Sequence, residues 1–247
     1  MLHSLNGLLL AASLAAMAGS LWNRDRLPGP EAVLDAVRAE PLQQPVVERA
    51  FVARAGGVDY TVRPSHRYEL VGLVVSRHDT SVWWDVVHRD AWKDHLNVAD
   101  LCVVWGRNLE DALYRRMRYA SGTFTCSVAT DSPEDWRRFD PSAISNNHLL
   151  ASDPALARTL RAIRPGDQIR VAGRLVEYAH DVGAGFRRGT STRRDDTGDG
   201  ACETIWVTEA QVLRAANRGW RAMRTLAWIG IAAAIALWLL LPPRPVR

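Results

Sequence analysis

Two uncharged apolar stretches, one at each end of the chain, predict membrane spans. Residues 1–22 and residues 225–241 contain no Lys, Arg, Asp or Glu. At about 1.5 Å per residue, helices of these lengths reach across most of a hydrocarbon core that is roughly 30 Å thick. We therefore expect a transmembrane helix or signal anchor at 1–22, and a transmembrane helix at 225–241 followed by a tail at 242–247. Small residues between 15 and 20 leave a cleaved signal peptide as the alternative for the first stretch.

Apolar runs between these stretches predict a β-rich soluble domain at 45–217. A Gly56-Gly57 pair between two such runs is typical of a hairpin turn, and Ser152-Asp153-Pro154 predicts a helix start. The expected strands are Val46–Ala53, Val58–Val62, Tyr68–Ser76, Asp100–Trp105, Thr123–Val128, Gln168–Tyr178 and Thr204–Leu213. Several short strands, with one helix before the strand that begins at 168, favour an α+β fold with a small, OB-like, partly open barrel.

Two short segments link this domain to the apolar stretches. Residues 23–44 predict a stalk helix and linker, because Gly29-Pro30-Glu31 has the pattern of a helix start and apolar residues follow at helical spacing. Residues 218–224 are rich in Arg and predict a basic segment that flanks the membrane.

The charge pattern gives conflicting indications of the side of the membrane. The net charge is +4, which implies no particular partner. Arginines are more frequent on the flanks of the domain than in the outer tails, and this favours a cytoplasmic domain. A hydrophobic N-terminus favours export instead. Cys102 and Cys126 are a disulfide candidate in an oxidising compartment, with buried free thiols as the alternative. The balance leans to the periplasmic side.

Three segments of the domain form a recognisable set. They are SNNHLLA at 145–151, GDQIRVAGRLVEY at 166–178, and GTSTRRDDTGDGACETIWV at 189–207. Together they resemble a family of uncharacterised bacterial membrane-anchored proteins over about Trp83 to Val207. The shared features are a G-D-x-I-x-V-x-G-x-L-V strand and a T-R-x-D-T-G-x-G-A-C-E motif, in which this chain has one additional residue after Arg193. The resemblance implies a shared domain and no known activity, and the second span departs from relatives with one anchor.

An acidic loop at 195–203 is the first candidate for ligand binding. Asp195, Thr197 and Asp199 match ligand positions of a calcium loop, but Trp206 stands where a bidentate Glu is needed. We therefore favour a Gly-rich turn in which Asp side chains pair with neighbouring arginines. Two Trp residues add aromatic surface on which a ligand could stack. The ligand-binding candidates are Arg193, Arg194, Asp195, Asp196, Asp199, Glu203, Trp83 and Trp84.

His148 is the candidate catalytic residue, although the sequence favours a protein without enzymatic activity. A Cys or Ser nucleophile needs an activating base. Cys126 or Cys202 is a conceivable partner of His148, and so is Ser191 or Ser145. No G-x-S-x-G, H-E-x-x-H or P-loop motif occurs in the sequence. His88 and His95 are seven residues apart, which fits a metal site on a helix poorly. We therefore expect no metal and no cofactor.

These patterns predict a multi-pass protein of the bacterial inner membrane, with two spans and a tethered binding or assembly module. Its expected partners are the lipid bilayer and another membrane or periplasmic protein. One alternative is a membrane-anchored hydrolase that uses His148 with the 195–203 acidic loop. The other is a cytoplasmic-facing OB-like nucleic-acid binder that uses Arg170, Arg174, Arg187 and Arg188. We do not expect nucleic acid as a partner, because Arg is scattered along the whole chain.

Overall fold

The computed structural model describes residues 2–80, 91–122, 125–196 and 202–241. The chain divides into two compact units. The terminal unit comprises Met1–Arg26 and Ala216–Arg247, and the sheet unit comprises Leu27–Ala215. The sheet unit therefore includes residues 27–44, which the sequence assigned to a stalk and linker outside the domain.

The helices and strands have the following bounds within the described ranges. The helices are α1 (Leu2–Asn23), α2 (Pro133–Arg138), α3 (Pro154–Ala162) and α4 (Arg218–Leu240). The strands are β1 (Leu42–Pro45), β2 (Phe51–Ala55), β3 (Val58–His78), β4 (Asn97–Val104), β5 (Arg118–Gly122), β6 (Thr125–Ala129), β7 (Ile144–Leu150), β8 (Gln168–His180), β9 (Phe186–Arg188) and β10 (Cys202–Arg214). Short 3-10 turns lie at Pro30–Ala32, Asp35–Arg38, Gly106–Arg115 and Pro141–Ala143.

The terminal unit pairs α1 with α4 in antiparallel fashion. Asn6 Nδ2 donates to the carbonyl oxygen of Ala234 at 3.1 Å, and Ser20 Oγ donates to that of Trp220 at 2.6 Å. By length and composition, both helices are apolar enough to cross a membrane. Residues 218–224, which the sequence set apart as a basic flanking segment, form the first turns of α4 itself.

Eight strands of the sheet unit form one large sheet, in the order β1-β3-β4-β7-β10-β8-β9 with β2 on β3. β3 also pairs with β8, so the pairings that run through β4, β7, β10 and β8 return to β3. β7 and β10 are parallel, and the other paired strands are antiparallel. Register shifts interrupt four of these ladders. The fold is therefore mixed α/β with a large sheet that is not a regular barrel, and the OB-like fold is not confirmed.

Both faces of the central strands are covered by apolar side chains. Every residue of β4 is buried. Leu101 and Val103 belong to one core cluster, which also includes Leu160 of α3, while Cys102 and Val104 belong to another. Because alternate residues of a strand point to opposite faces, a strand that is covered on both sides needs a continuous apolar run. This explains the apolar run LCVV at 101–104.

The hairpin and helix start that the sequence predicted are present. β2 pairs with β3 across the Gly56-Gly57 turn, where the two glycines have φ values of 56° and 80°. Asp153 caps α3 by accepting the backbone N–H of Leu156 at 2.7 Å. The strand predicted at Thr123–Val128 corresponds to β6, which pairs with β5 in a separate two-stranded sheet.

The stalk helix predicted within 23–44 is wrong. Residues of this segment form 3-10 turns and extended backbone. The amide of Gln168 accepts the N–H of Leu34 at 2.6 Å and donates to the carbonyl oxygen of Ala32 at 2.7 Å, and Val37 is fully buried. Contacts with the sheet unit thus replace the hydrogen bonds of a helix, since local propensity is a weak preference that tertiary packing overrides.

Candidate functional site

His148 lies at the centre of a polar cluster that comes from three neighbouring strands. Asp100 of β4 stands opposite His148 of β7 in the antiparallel ladder, and Thr204 of β10 stands opposite it in the parallel ladder. Cys202 precedes Thr204 by two residues and therefore points to the same face. Nδ1 of His148 is 2.7 Å from Oδ1 of Asp100, and the Cys202 thiol is in hydrogen-bond contact with the imidazole. The sheet thus brings together a thiol, an imidazole and a carboxylate.

The members of the cluster differ in burial. His148 and Asp100 are fully buried, whereas Cys202 is half-buried. Asn97 Nδ2 donates to Oδ1 of Asp100 at 2.7 Å, which holds the carboxylate in the orientation that faces His148. Asn146 Nδ2 lies 3.5 Å from Sγ of Cys202. Cys202 is therefore the most exposed member of the Cys202, His148 and Asp100 cluster.

Opposing influences set the charge of His148. Burial lowers the pKa of the ring, but Asp100 and the contact with Cys202 outweigh burial and raise the pKa to about 9. Arg188 Nη1 stands 2.8 Å from Nε2 of the ring, and a guanidinium group only donates hydrogen bonds. This contact therefore requires an Nε2 without a proton. The raised pKa favours a protonated ring, but a protonated Nε2 could not accept a hydrogen bond from Arg188. On the geometry of this contact we assign a neutral ring with its proton on Nδ1, facing Asp100.

Two described acids of the 195–203 loop, Asp195 and Asp196, contact side chains that precede the loop. Arg193 makes a two-point contact with the exposed Asp195, with distances of 2.9 and 2.8 Å. Ser191 Oγ donates to Oδ2 of Asp196. The acid that contacts His148 directly is Asp100 on β4, which the sequence did not single out.

Arg194 and Glu203 form a second pair, and two aromatic rings lie against the Arg194 guanidinium. Nη1 of Arg194 is 2.7 Å from Oε1 of Glu203, and the guanidinium lies over the rings of Tyr68 and Trp105, at 5.3 and 5.8 Å from their centroids. The Glu203 side chain is 5% exposed, and its Oε2 accepts no hydrogen bond from the described part of the chain. Burial raises the pKa of this carboxyl to about 7, although Arg194 opposes the rise.

The remaining candidates fall into two groups. Trp83, Trp84 and Asp199 lie outside the described residues. Cys102 and Cys126 are bonded to each other, with Cα atoms 5.7 Å apart. The third cysteine of the sequence, Cys202, is not part of this disulfide.

The four arginines considered for nucleic acid have partners within the sheet unit. Salt bridges or hydrogen bonds join Arg170 to Glu69 and Glu209, Arg174 to Glu48, Arg187 to Glu177, and Arg188 to His148. Three of the four therefore have their charge offset by a nearby carboxylate, which is a common arrangement on protein surfaces.

Sequence reasoning missed Asp100, Arg188 and Asn97 as members of the His148 cluster. One signal was available for Asp100, because a carboxylate at the start of a run that is otherwise buried needs a partner. Arg188 had no comparable signal, since its position beside His148 depends on the pairing of β9 with β8.

No group of three or more His, Cys, Asp or Glu side chains within the described ranges is arranged to hold a metal ion. No family model, curated protein or solved structure matches the chain. The fold and site together define a mixed α/β sheet unit with a Cys-His-Asp cluster, in a chain with two terminal helices that are long and apolar enough to span a membrane.

Proposed function

We propose that this chain is a two-span protein of the bacterial inner membrane and that its sheet unit serves as a binding or assembly module. The observation that carries the proposal is the pairing of α1 with α4, the two apolar helices at opposite ends of the chain. A domain joined to two paired spans stays near the bilayer, which raises its effective concentration toward other membrane components. Its partners are the lipid bilayer and another membrane or periplasmic protein.

The module is OB-like in this proposal. The circuit of pairings through β3, β4, β7, β10 and β8 supports it, as do the parallel β7–β10 pair and the position of α3 between β7 and β8. Five-stranded Greek-key barrels of this type bind their ligands on one sheet face and its adjoining loops.

The periplasm is the proposed location of the module. The bond between Cys102 and Cys126 supports it, because disulfides persist in oxidising compartments. The arginines at the start of α4 favour the opposite side under the positive-inside tendency, although that tendency weakens for long translocated segments. A topology measurement decides between the two.

The topology test uses a pair of reporters on the complete chain. We expect a fluorescent protein fused after Arg247 to be fluorescent and alkaline phosphatase at the same position to be inactive, because two spans return the C-terminus to the cytoplasm. The same reporters fused after Asn217, before α4, should give the reverse pattern. Active phosphatase after Arg247 with fluorescence after Asn217 would place the module in the cytoplasm. Extraction of the chain from membranes by alkaline carbonate would contradict both spans.

The assembly role is tested by cross-linking in living cells. Val47 and Val52 are exposed apolar side chains of the sheet unit, and exposed apolar surface commonly marks protein contacts. A photo-activated amino acid at either position should yield a discrete adduct with a membrane or periplasmic protein. The same amino acid at the exposed, charged Asp131 is the matched control. Adducts that are absent at both valines, or identical at Asp131, would contradict the assembly role.

A membrane-anchored hydrolase is the second candidate, and the contacts of His148 favour it. A buried imidazole held by a carboxylate is the usual orientation device of a general base. Hydrolysis of ester substrates by the purified chain, lost in His148→Asn and retained in His66→Asn, would support this candidate. Activity that is equal in all three proteins would count against it.

A further inference from the structure

We propose that Cys202 is the nucleophile of an acyl-transfer site in which His148 is the base and Asp100 orients the base. This inference rests on the hydrolase candidate and names its nucleophile and substrate class, which is an ester or thioester. The sequence expectation paired His148 with an acidic residue of the 195–203 loop. In the proposed site that segment instead contributes Cys202, and the acid is Asp100 of β4.

The strand register fixes the three groups relative to one another. Parallel pairing sets Thr204 opposite His148, and Cys202 follows on the same face of β10. Antiparallel pairing sets Asp100 directly opposite His148. The three groups therefore sit on adjacent strands of one rigid sheet, which positions side chains more precisely than a loop does.

Each member has the environment that its role requires. Asp100 is fully buried and holds Nδ1 of His148 at 2.7 Å, which fixes the tautomer in which Nε2 carries no proton. Cys202 is half-buried, and the proposal requires that reagents reach its sulfur. The other two cysteines are bonded to each other and do not compete with it.

Two donors stand beside the sulfur and the ring. Asn146 Nδ2 is 3.5 Å from Sγ of Cys202, and Arg188 contacts Nε2 of His148. Negative charge develops on the carbonyl oxygen when a nucleophile adds to an acyl carbon, and preorganised donors stabilise that charge. A protonated Nε2 cannot accept a hydrogen bond from Arg188, so the proposal assigns Arg188, together with Asn146, to the oxyanion in that state. The two donors beside the sulfur and the ring are the reason that the proposal names an acyl group as the substrate.

The reaction balances without an external oxidant or reductant. The Cys202 thiol gives its proton to Nε2 of His148, the Sγ–C bond forms, and the bond from the acyl carbon to the alcohol or thiol leaving group breaks. His148 passes the proton to that leaving group. Water then adds to the acyl carbon as His148 takes a proton from it, the Sγ–C bond breaks, and the proton returns to sulfur as the carboxylic acid departs.

The first experiment measures the reactivity of Cys202 in the full-length chain in detergent, with the disulfide intact. Iodoacetamide should alkylate Cys202 at neutral pH about tenfold faster than in His148→Asn. Asp100→Asn should fall between the two, and His66→Asn should match the wild type. Peptide mass spectrometry localises the adduct, and a purely structural role for His148 predicts equal rates in folded proteins.

A variant that fails to fold still gives a usable reference. Its unfolded chain presents an ordinary thiol, so its alkylation rate is the baseline for Cys202. A wild-type rate that does not exceed this baseline, or that equals the rate of a folded His148→Asn protein, would overturn the inference.

The second experiment tests the substrate class with p-nitrophenyl acetate and an acetyl thioester. We expect one equivalent of leaving group per chain in a burst, with an acetyl group on Cys202, and neither event in Cys202→Ala. Hydrolysis that persists in Cys202→Ala and is lost in His148→Asn would leave the hydrolase candidate standing and overturn the nucleophile. A reactive Cys202 that accepts no acetyl group from either probe would overturn the acyl-transfer assignment.

Discussion

Replacing Glu203 with Gln should stabilise the sheet unit at alkaline pH and leave it unchanged at acidic pH. The Glu203 carboxyl is buried beside Arg194, and its second oxygen has no hydrogen-bond partner among the described residues. Burial raises its pKa from the usual 4.5 to about 7. Gln has the shape of the protonated acid, so Glu203→Gln removes the cost of burying the charge.

The sign and the size of the effect follow from proton linkage. Below pH 4.5 the carboxyl is protonated in both the folded and the unfolded chain, and the burial cost is absent. Between pH 4.5 and 7 the unfolded chain releases its proton first, so stability falls as the pH rises. Above pH 7 the loss is complete and amounts to about 3 kcal/mol.

Thermal unfolding of the full-length protein, followed by tryptophan fluorescence at pH 4 and pH 8, measures this effect. A gain of about 3 kcal/mol in a unit of this size corresponds to a Tm increase of roughly 6 °C or more for Glu203→Gln at pH 8. Glu209→Gln on the same strand, where the side chain is 67% exposed, is the matched control and should change stability by less than about 0.5 kcal/mol. An equal Tm difference at both pH values, or a less stable Glu203→Gln protein at pH 8, would refute the reasoning.

Three further substitutions test the packing of the sheet unit. Gly173→Ala should lower the free energy of unfolding by about 1–3 kcal/mol, because the new Cβ would overlap the backbone oxygen of Trp206. Gly189→Ala, where a Cβ would meet open space, should lower it far less in the same thermal assay. Leu149→Ala should cost about 2–5 kcal/mol in denaturant unfolding, since Leu149 is 1% exposed in the main core. Cys102→Ser should lower the free energy of unfolding by about 3 kcal/mol, because it opens the loop that the disulfide to Cys126 closes. Mass spectrometry of the unreduced wild type that finds three free thiols would reject the disulfide.

The sequence predicted some residues of the candidate site, but it did not predict which of them contact one another. His148 and Cys202 were recognised as conceivable partners from their residue types alone. Asp100 was passed over as part of a buried strand, because its role exists only where β4 meets β7. Arg194 and Glu203 were named together as ligand candidates, whereas the rings of Tyr68 and Trp105 that cover Arg194 come from distant parts of the chain.

The sequence by itself determined the elements that local signals encode. The apolar composition of the two ends predicts helices able to span a membrane, the Gly56-Gly57 pair predicts the β2–β3 turn, and Asp153 with its following Pro predicts the start of α3. Each of these signals acts within a few residues, through side-chain polarity, backbone conformation or capping.

Only the tertiary structure decided which strands are neighbours and which polar groups meet. The parallel pairing of β7 with β10 skips α3, β8 and β9, and no local pattern specifies such a partner or its register. The same limit explains the segment at 30–38, where Gln168 supplies hydrogen bonds that a helix would have made internally. Long-range contacts decide these cases because the free energies that separate local alternatives are small compared with those of burial and hydrogen bonding in the folded unit.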